Sequence, residues 1–232
     1  MLRILGIGFI LILSFSLSAQ VGTEKNVKYT TDFKFEDGFY LNFNMVKRNS
    51  PIPPARIITS IDRSSSEFYS DLLRSNLFTF FDGNGVKQQI NTSKIWGFSR
   101  NGVLYIKMSE GFHRITIVGG ICHFVATIVS YQNPYNDPYY GNPYSYRRYN
   151  PYSSAQNRTT KNQEVNQYLL DFETGETYEY ELKSVEILLM KDVELYDEYM
   201  TLKKKKKKQL KFYYLRKFNE RNPIYLPVKN KF

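Results

Sequence analysis

The sequence predicts an α+β protein, an antiparallel β-barrel or sandwich-like sheet of about eight to ten strands with C-terminal helices. Three observations carry that expectation. Apolar and polar residues alternate along short runs between Phe33 and Leu182, which is strand periodicity. Tight-turn signals such as Asn101-Gly102 and Gly119-Gly120 separate those runs and join antiparallel neighbours. Beyond Ser184 the apolar spacing becomes helical.

The first 19 residues stand apart. Met1 to Arg3 carry positive charge, Ile4 to Leu17 form an uncharged and almost wholly apolar run of 14 residues, and Ser18 and Ala19 are small. Charge, apolar run and small residues in that order define a cleavable export signal, cut after Ala19 or Gln20. A membrane-crossing helix needs about 20 apolar residues. Lys25 and Lys28 follow with no stop-transfer pattern, and no other apolar window approaches that length, so no transmembrane span is expected after cleavage. Residues 20–182 then read as one β-rich domain, and residues 183–232 as a helical segment with an extended tail packed on the sheet.

Within the domain, Asp37-Gly38 signals a turn, and Phe39, Leu41 and Phe43 alternate with Tyr40, Asn42 and Asn44 as a strand. Pro51, Pro53 and Pro54 punctuate a loop. Ser64 to Ser75 predicts a short helix, with Phe68, Leu72 and Leu73 on one face and Ser64 to Ser66 as cap candidates. Hairpins follow. Leu77 to Phe81 faces Val86 to Ile90 across Asp82-Gly83-Asn84-Gly85, and Ile95 to Arg100 faces Val103 to Met108 across Asn101-Gly102. Asn-Gly is the strongest of these signals, because both central residues of a type I′ turn need positive φ. Phe112 to Val118 and Ile121 to Val129 flank Gly119-Gly120, and Tyr168 to Phe172 pairs with Thr177 to Leu182. The expected core comprises Leu41, Phe43, Trp96, Phe98, Leu104, Ile106, Ile115, Ile117, Leu170, Phe172, Tyr178 and Tyr180.

Between two strands lies 131–160, beginning YQNPYNDPYYGNPYSYRRYNPYSS. Asn-Pro or Asp-Pro recurs without apolar periodicity, so too little surface can be buried to offset chain entropy. A disordered insertion is expected, with Tyr135, Tyr139, Tyr140, Tyr144 and Tyr146 as a candidate sticky loop. A low-complexity insertion without a partner is the alternative.

In the tail, Ser184 is placed to cap a helix from Val185 to Met190, and Asp192 to cap a longer one from Val193 to about Phe218. Leu195, Tyr199, Leu202, Leu210, Tyr213 and Tyr214 form its apolar stripe. The polar run from Lys203 to Gln209 interrupts that stripe and surrounds the helix, so it must lie largely in water. Lys206 falls on the stripe and is expected to lay its methylenes on the core. Asn222-Pro223 ends the helix.

Two stretches carry a resemblance. DGFYLNFNMVKRNSPI, with its Gly-x-Tyr-Leu-x-Phe strand and the WGF and VLYI hairpin downstream, is one. The tail from SVEILLMKDVELYDEY to YYLRKFNERNPIYLP is the other. Together they resemble a family of uncharacterised exported proteins of Bacteroidota-type bacteria. The resemblance implies export and a shared fold, brings no activity or catalytic residue with it, and does not extend to the tyrosine-rich insertion.

Chemistry-bearing residues are sparse. Cys122 is the single cysteine, which excludes an intramolecular disulfide, and within IVGGICHFVATIV it reads as a buried thiol. His113 and His123 are the two histidines. Adjacent Cys122 and His123 point to opposite faces of a strand and cannot act directly as nucleophile and base. No CxxC, HxxxH, phosphate-cradling glycine loop or GxSxG occurs, so no catalytic residue, metal site or cofactor is assigned. The carboxylate pairs Asp171 with Glu173 and Glu179 with Glu181 read as the solvated side of hairpin strands.

Charge is concentrated. The whole chain carries +10, and Lys203, Lys204, Lys205, Lys206, Lys207 and Lys208 supply six of those charges. Losing Arg3 with the export signal leaves +9, and without the lysine run the remainder would be +3, so the basicity is local. Interleaved aromatics are missing and export conflicts with nucleic-acid binding, so no nucleic-acid partner is expected. An anionic lipid, a polysaccharide or a protein of the cell envelope suits the run, which otherwise reads as a solvated helix face. The expected function is that of an exported protein, periplasmic, associated with the outer envelope or secreted, acting as a non-enzymatic binding module. An envelope enzyme whose site assembles only in three dimensions is one alternative, and a small outer-membrane barrel is another. A deep pocket holding His113 or His123 with two carboxylates would mark the enzyme.

Overall fold

A computed structural model describes residues 25–132 and 160–228. The expected export signal and the candidate tyrosines of the insertion lie outside the described residues. Strand β1 (Lys25–Lys28) leads to β2 (Gly38–Tyr40) and helix α1 (Phe43–Lys47). Helix α2 (Phe68–Arg74) precedes the hairpin β3 (Leu77–Phe81) and β4 (Lys87–Asn91). Four strands follow: β5 (Gly97–Arg100), β6 (Val103–Met108), β7 (Gly111–Ile117) and β8 (Ile121–Gln132). After the insertion come β9 (Thr160–Asp171) and β10 (Thr177–Glu179). The tail holds α3 (Leu182–Leu189), α4 (Val193–Met200), α5 (Lys204–Arg221) and β11 (Tyr225–Val228).

Seven strands form one antiparallel sheet in the order β10-β9-β8-β7-β6-β5-β2, while β3–β4 and β1–β11 are separate two-stranded ribbons. The sheet is open and sandwich-like, and does not close into a barrel. Beyond β2, among the described residues only Ile52 pairs, exchanging hydrogen bonds of 2.9 and 3.0 Å with Phe39. Pro51 and Pro53 on either side of Ile52 have no N–H to donate, so pairing stops there.

Both faces of the sheet are covered, which a single layer of alternating residues does not require. One face presents Tyr40, Leu104, Ile106, Ile115, Phe124 and Leu170 to Phe35, Val46 and Leu226. The other is divided. At its β2 end Phe39 and Phe98 pack against Phe68, Tyr69 and Leu72 of α2 and Phe78 and Phe80 of β3. At its β8–β9 end Ile121 and Leu169 pack against Val185, Leu189, Leu195, Tyr199, Tyr214 and Phe218 of the C-terminal helices.

Of the expected core, Phe98, Leu104, Ile106, Ile115, Leu170 and Phe172 are buried. Leu41, Phe43, Trp96, Tyr178 and Tyr180 are partly buried against the clusters. Ile117 is partly buried as well, beyond a register shift that separates it from Ile115.

Several local expectations need correction. The strand expected through Asn44 ends at Tyr40, because the Asn42 side chain accepts the Met45 N–H at 3.1 Å and starts α1. Asp37 anchors another turn rather than making one: its carboxylate accepts the Asn101 and Gly102 N–H groups at 3.0 and 2.9 Å. Ser184 caps nothing, since α3 begins two residues earlier at Leu182 behind Glu181. Asp192 does cap α4, accepting the Leu195 N–H at 3.1 Å. The single long helix expected after it is two helices, because the backbone turns extended at Lys203 (φ −62°, ψ 147°).

Candidate functional site

That break places the lysine run at the start of a helix. Lys203 is the N-cap residue of α5 and offers no side-chain cap, and the first turn holds no acidic residue. The open backbone N–H groups and the positive end of the helix dipole therefore coincide with the lysines, which is the unfavourable end for cations and the favourable one for an approaching anion.

The six lysines are not equivalent. Lys207 is only 8 % exposed. Its ammonium donates to Glu186 Oε1 of α3 and to Met200 Sδ of α4, both at 2.9 Å, and sits 5.5 Å from the Tyr199 ring centre. The Tyr199 hydroxyl in turn donates to the Lys207 carbonyl at 2.9 Å, and burial pushes the Tyr199 pKa up. It is thus Lys207, not Lys206, that lies on the core: the break resets the helical phase by one residue, which aligns Lys207 with Tyr214 and Phe218. Lys203, Lys204, Lys205, Lys206 and Lys208 are exposed and make no ion pair among the described residues. Deeper along α5, Lys211 donates to the Tyr180 carbonyl at 2.7 Å and lies over its ring. Burial, with Lys208 adding to it against the pull of Glu181, holds the Lys211 pKa below the ordinary lysine range.

Apolar surface adjoins the exposed lysines. Met200, which touches Lys207, is 41 % exposed. Sequence reasoning missed Met200, because its contact with the run depends on α4 and α5 meeting at Lys207.

The other chemistry-bearing residues do not converge. Cys122 is fully buried, and burial, with the Asp171 charge adding to it, pushes its thiol up to about 12; its S–H donates to the Gly119 carbonyl at 3.4 Å. Cys122 packs in the cluster on one sheet face, whereas His123 lies on the other between the rings of Tyr180 and Phe212. The His123 nitrogens face Thr116 Oγ1 at 3.2 Å and Gln167 Oε1 at 3.0 Å, and His113 Nε2 faces the Met108 carbonyl at 3.3 Å. Among the described residues, no group of three or more His, Cys, Asp or Glu is placed to hold a metal ion.

Asp171 is not on a solvated side. Its side chain is 3 % exposed, and Lys191 donates to both of its oxygens at 2.7 Å while also reaching Glu173 at 2.7 Å. These groups line a recess of about 400 Å³ with Lys47, Phe218 and Asn222. Lys47 is engaged there too, donating to the Glu173 carbonyl at 3.1 Å. The charges compensate one another, so the recess reads as a tie between the β9–β10 hairpin and the α3–α4 connection.

Compared with protein families, curated proteins and solved structures, the chain matches none of them. Among the described residues no helix is long and apolar enough to cross a membrane.

Proposed function

We propose that this is an exported cell-envelope protein and a non-enzymatic binding module, which docks on an anionic lipid surface through the first turns of α5. One observation carries the reading: five exposed lysines, without ion pairs among the described residues, stand at an uncapped positive helix end beside the exposed Met200. Each lysine near an anionic leaflet contributes about 1 kcal/mol, and apolar side chains beside a basic helix add shallow insertion. Lipid is favoured over polysaccharide because the flexible, exposed Met200 side chain beside the lysines can enter the acyl boundary of a leaflet. The enzyme alternative draws no support from histidines that meet a hydroxyl, an amide and a carbonyl rather than carboxylates.

The test replaces Lys203, Lys204, Lys205, Lys206 and Lys208 by Gln and keeps the buried Lys207. Glutamine matches lysine closely in helix propensity, so folding is retained. Co-sedimentation with vesicles rich in phosphatidylglycerol should capture the parent at low salt and release it as salt rises. Phosphatidylcholine vesicles should capture neither protein. Equal capture of the variant at low salt would reduce the run to a solvated helix face.

A further inference from the structure

A second recess lies on the sheet face that packs against α2. Phe98 of β5 and Tyr105 of β6 are cross-strand partners, with ring centres 4.7 Å apart and planes within 11°. Tyr69 of α2 stacks on Phe98 at 4.9 Å, and Phe112 of β7 meets it at 5.4 Å. Phe98 and Tyr69 are buried, but Tyr105 and Phe112 are only half-buried. Phe98, Tyr105 and Phe112 line a recess of about 410 Å³ together with Ser70, Leu73, Arg74, Arg100 and Glu110. Small-ligand sites span roughly 300 to 1,000 Å³ and combine an aromatic lining with a few polar groups.

Arg100 gives the recess its chemistry. Its half-buried guanidinium donates through Nη1 to the Ser66 carbonyl at 2.7 Å, and no carboxylate pairs with it among the described residues. Arg74 differs, being paired with Asp71 at 2.9 Å. A guanidinium has five donors in a planar fork that matches a carboxylate, and the bond to Ser66 engages only one of its nitrogens. Ser70 adds a complementary group. Its proton goes to Glu67 at 3.1 Å, which leaves the Ser70 oxygen to accept from a hydroxyl.

We propose that this recess binds an acidic sugar residue of an oligosaccharide. The apolar face of the pyranose ring lies against Tyr105 and Phe112, its carboxylate pairs with Arg100, and ring hydroxyls meet the Ser70 and Tyr105 oxygens. A flat aromatic acid would use the ring stack and Arg100 but would leave the rim acceptors without donors, so the sugar accounts for more of the site. The recess is independent of the lysine turns and of the lipid reading.

Calorimetric titration of the mature protein with trigalacturonate, neutral cellotriose and benzoate tests the assignment. Trigalacturonate should bind, and cellotriose and benzoate should bind more weakly or not at all. Arg100→Gln should lower the affinity for trigalacturonate by about tenfold or more, the loss of a charge-assisted hydrogen-bonded pair. Phe112→Leu, which keeps apolar bulk and removes the ring, should weaken it as well. The five-lysine variant should retain the affinity, which separates this site from the α5 surface. Four results would overturn the proposal: no trigalacturonate binding at millimolar concentration, binding insensitive to both Arg100→Gln and Phe112→Leu, binding lost in the five-lysine variant, or benzoate or cellotriose bound as tightly as trigalacturonate.

Discussion

Asp171 ends β9 with both carboxylate oxygens held by one ammonium, that of Lys191, and with the Glu173 N–H and the Thr174 hydroxyl each donating at 3.0 Å. Burial alone would push its pKa up. The hydrogen bonds and the Lys191 charge outweigh burial, and the net direction is down. A carboxyl with a depressed folded-state pKa stabilises the protein fully above its unfolded value of about 4, and loses that contribution as pH falls through the lower folded value. Asp171→Asn should therefore destabilise the protein by about 1–3 kcal/mol near neutral pH. Urea denaturation across a pH series should show the gap between parent and variant narrowing below about pH 4. A gap that stays constant into acid would exclude the ion pair as its source. Nothing in the local sequence separates Asp171 from Glu179, an exposed carboxylate on the neighbouring strand, because Lys191 arrives 20 residues later from the turn between α3 and α4.

At the scale of elements, turn chemistry was legible and helix phase was not. Asn101 and Gly102 adopt φ of 54° and 77°, as the dipeptide demands in a hairpin, and β5 and β6 pair across them in the expected register. The β3–β4 and β7–β8 hairpins likewise follow their local signals. The tail misled, because a stripe projected across Lys203 assumes one unbroken helix. Once the chain turns there, Glu186 and Tyr199 select Lys207 for burial. Lys207→Gln should cost about 1–3 kcal/mol through the unpaired Glu186, while Lys206→Gln should stay within about 0.5 kcal/mol. Thermal or urea unfolding of the two variants separates them, and equal stabilities would refute the assigned phase. Gly119 shows a similar dependence on distant chain. A Cβ there would stand 2.4 Å from Asn219 Cγ of α5, whose amide exchanges hydrogen bonds of 2.8 Å with both backbone groups of Ile121.

Across the whole molecule, the described ends meet. β11 pairs with β1 from Lys25↔Val228 to Lys28↔Tyr225, and Leu226 is fully buried in the cluster on one sheet face. Asn49 ties this ribbon to the region after α1, donating to the Pro227 carbonyl at 3.2 Å while accepting the Glu36 N–H at 2.9 Å. The tail is therefore part of the core layer over the sheet. Leu226→Ala should cost about 2–5 kcal/mol, the range for emptying a buried leucine site, and should lower the thermal midpoint accordingly. A shift within experimental scatter would mean that the ribbon is dispensable to the fold.

By itself the sequence determined the α+β class, the strand-turn-strand succession from Leu77 to Glu179, the burial of Cys122 and the local concentration of positive charge. These follow from short-range physics: side-chain alternation, the positive φ of turn residues, and the net charge of a contiguous run. Only the tertiary structure decided that the sheet stays open with both faces covered, that Asp171 is buried, that five lysines rather than six reach solvent, and that Arg100 borders a stack of aromatic rings. Each of these depends on residues from separate elements arriving at one place, and neither local periodicity nor composition records which distant side chain will occupy the other side of a strand.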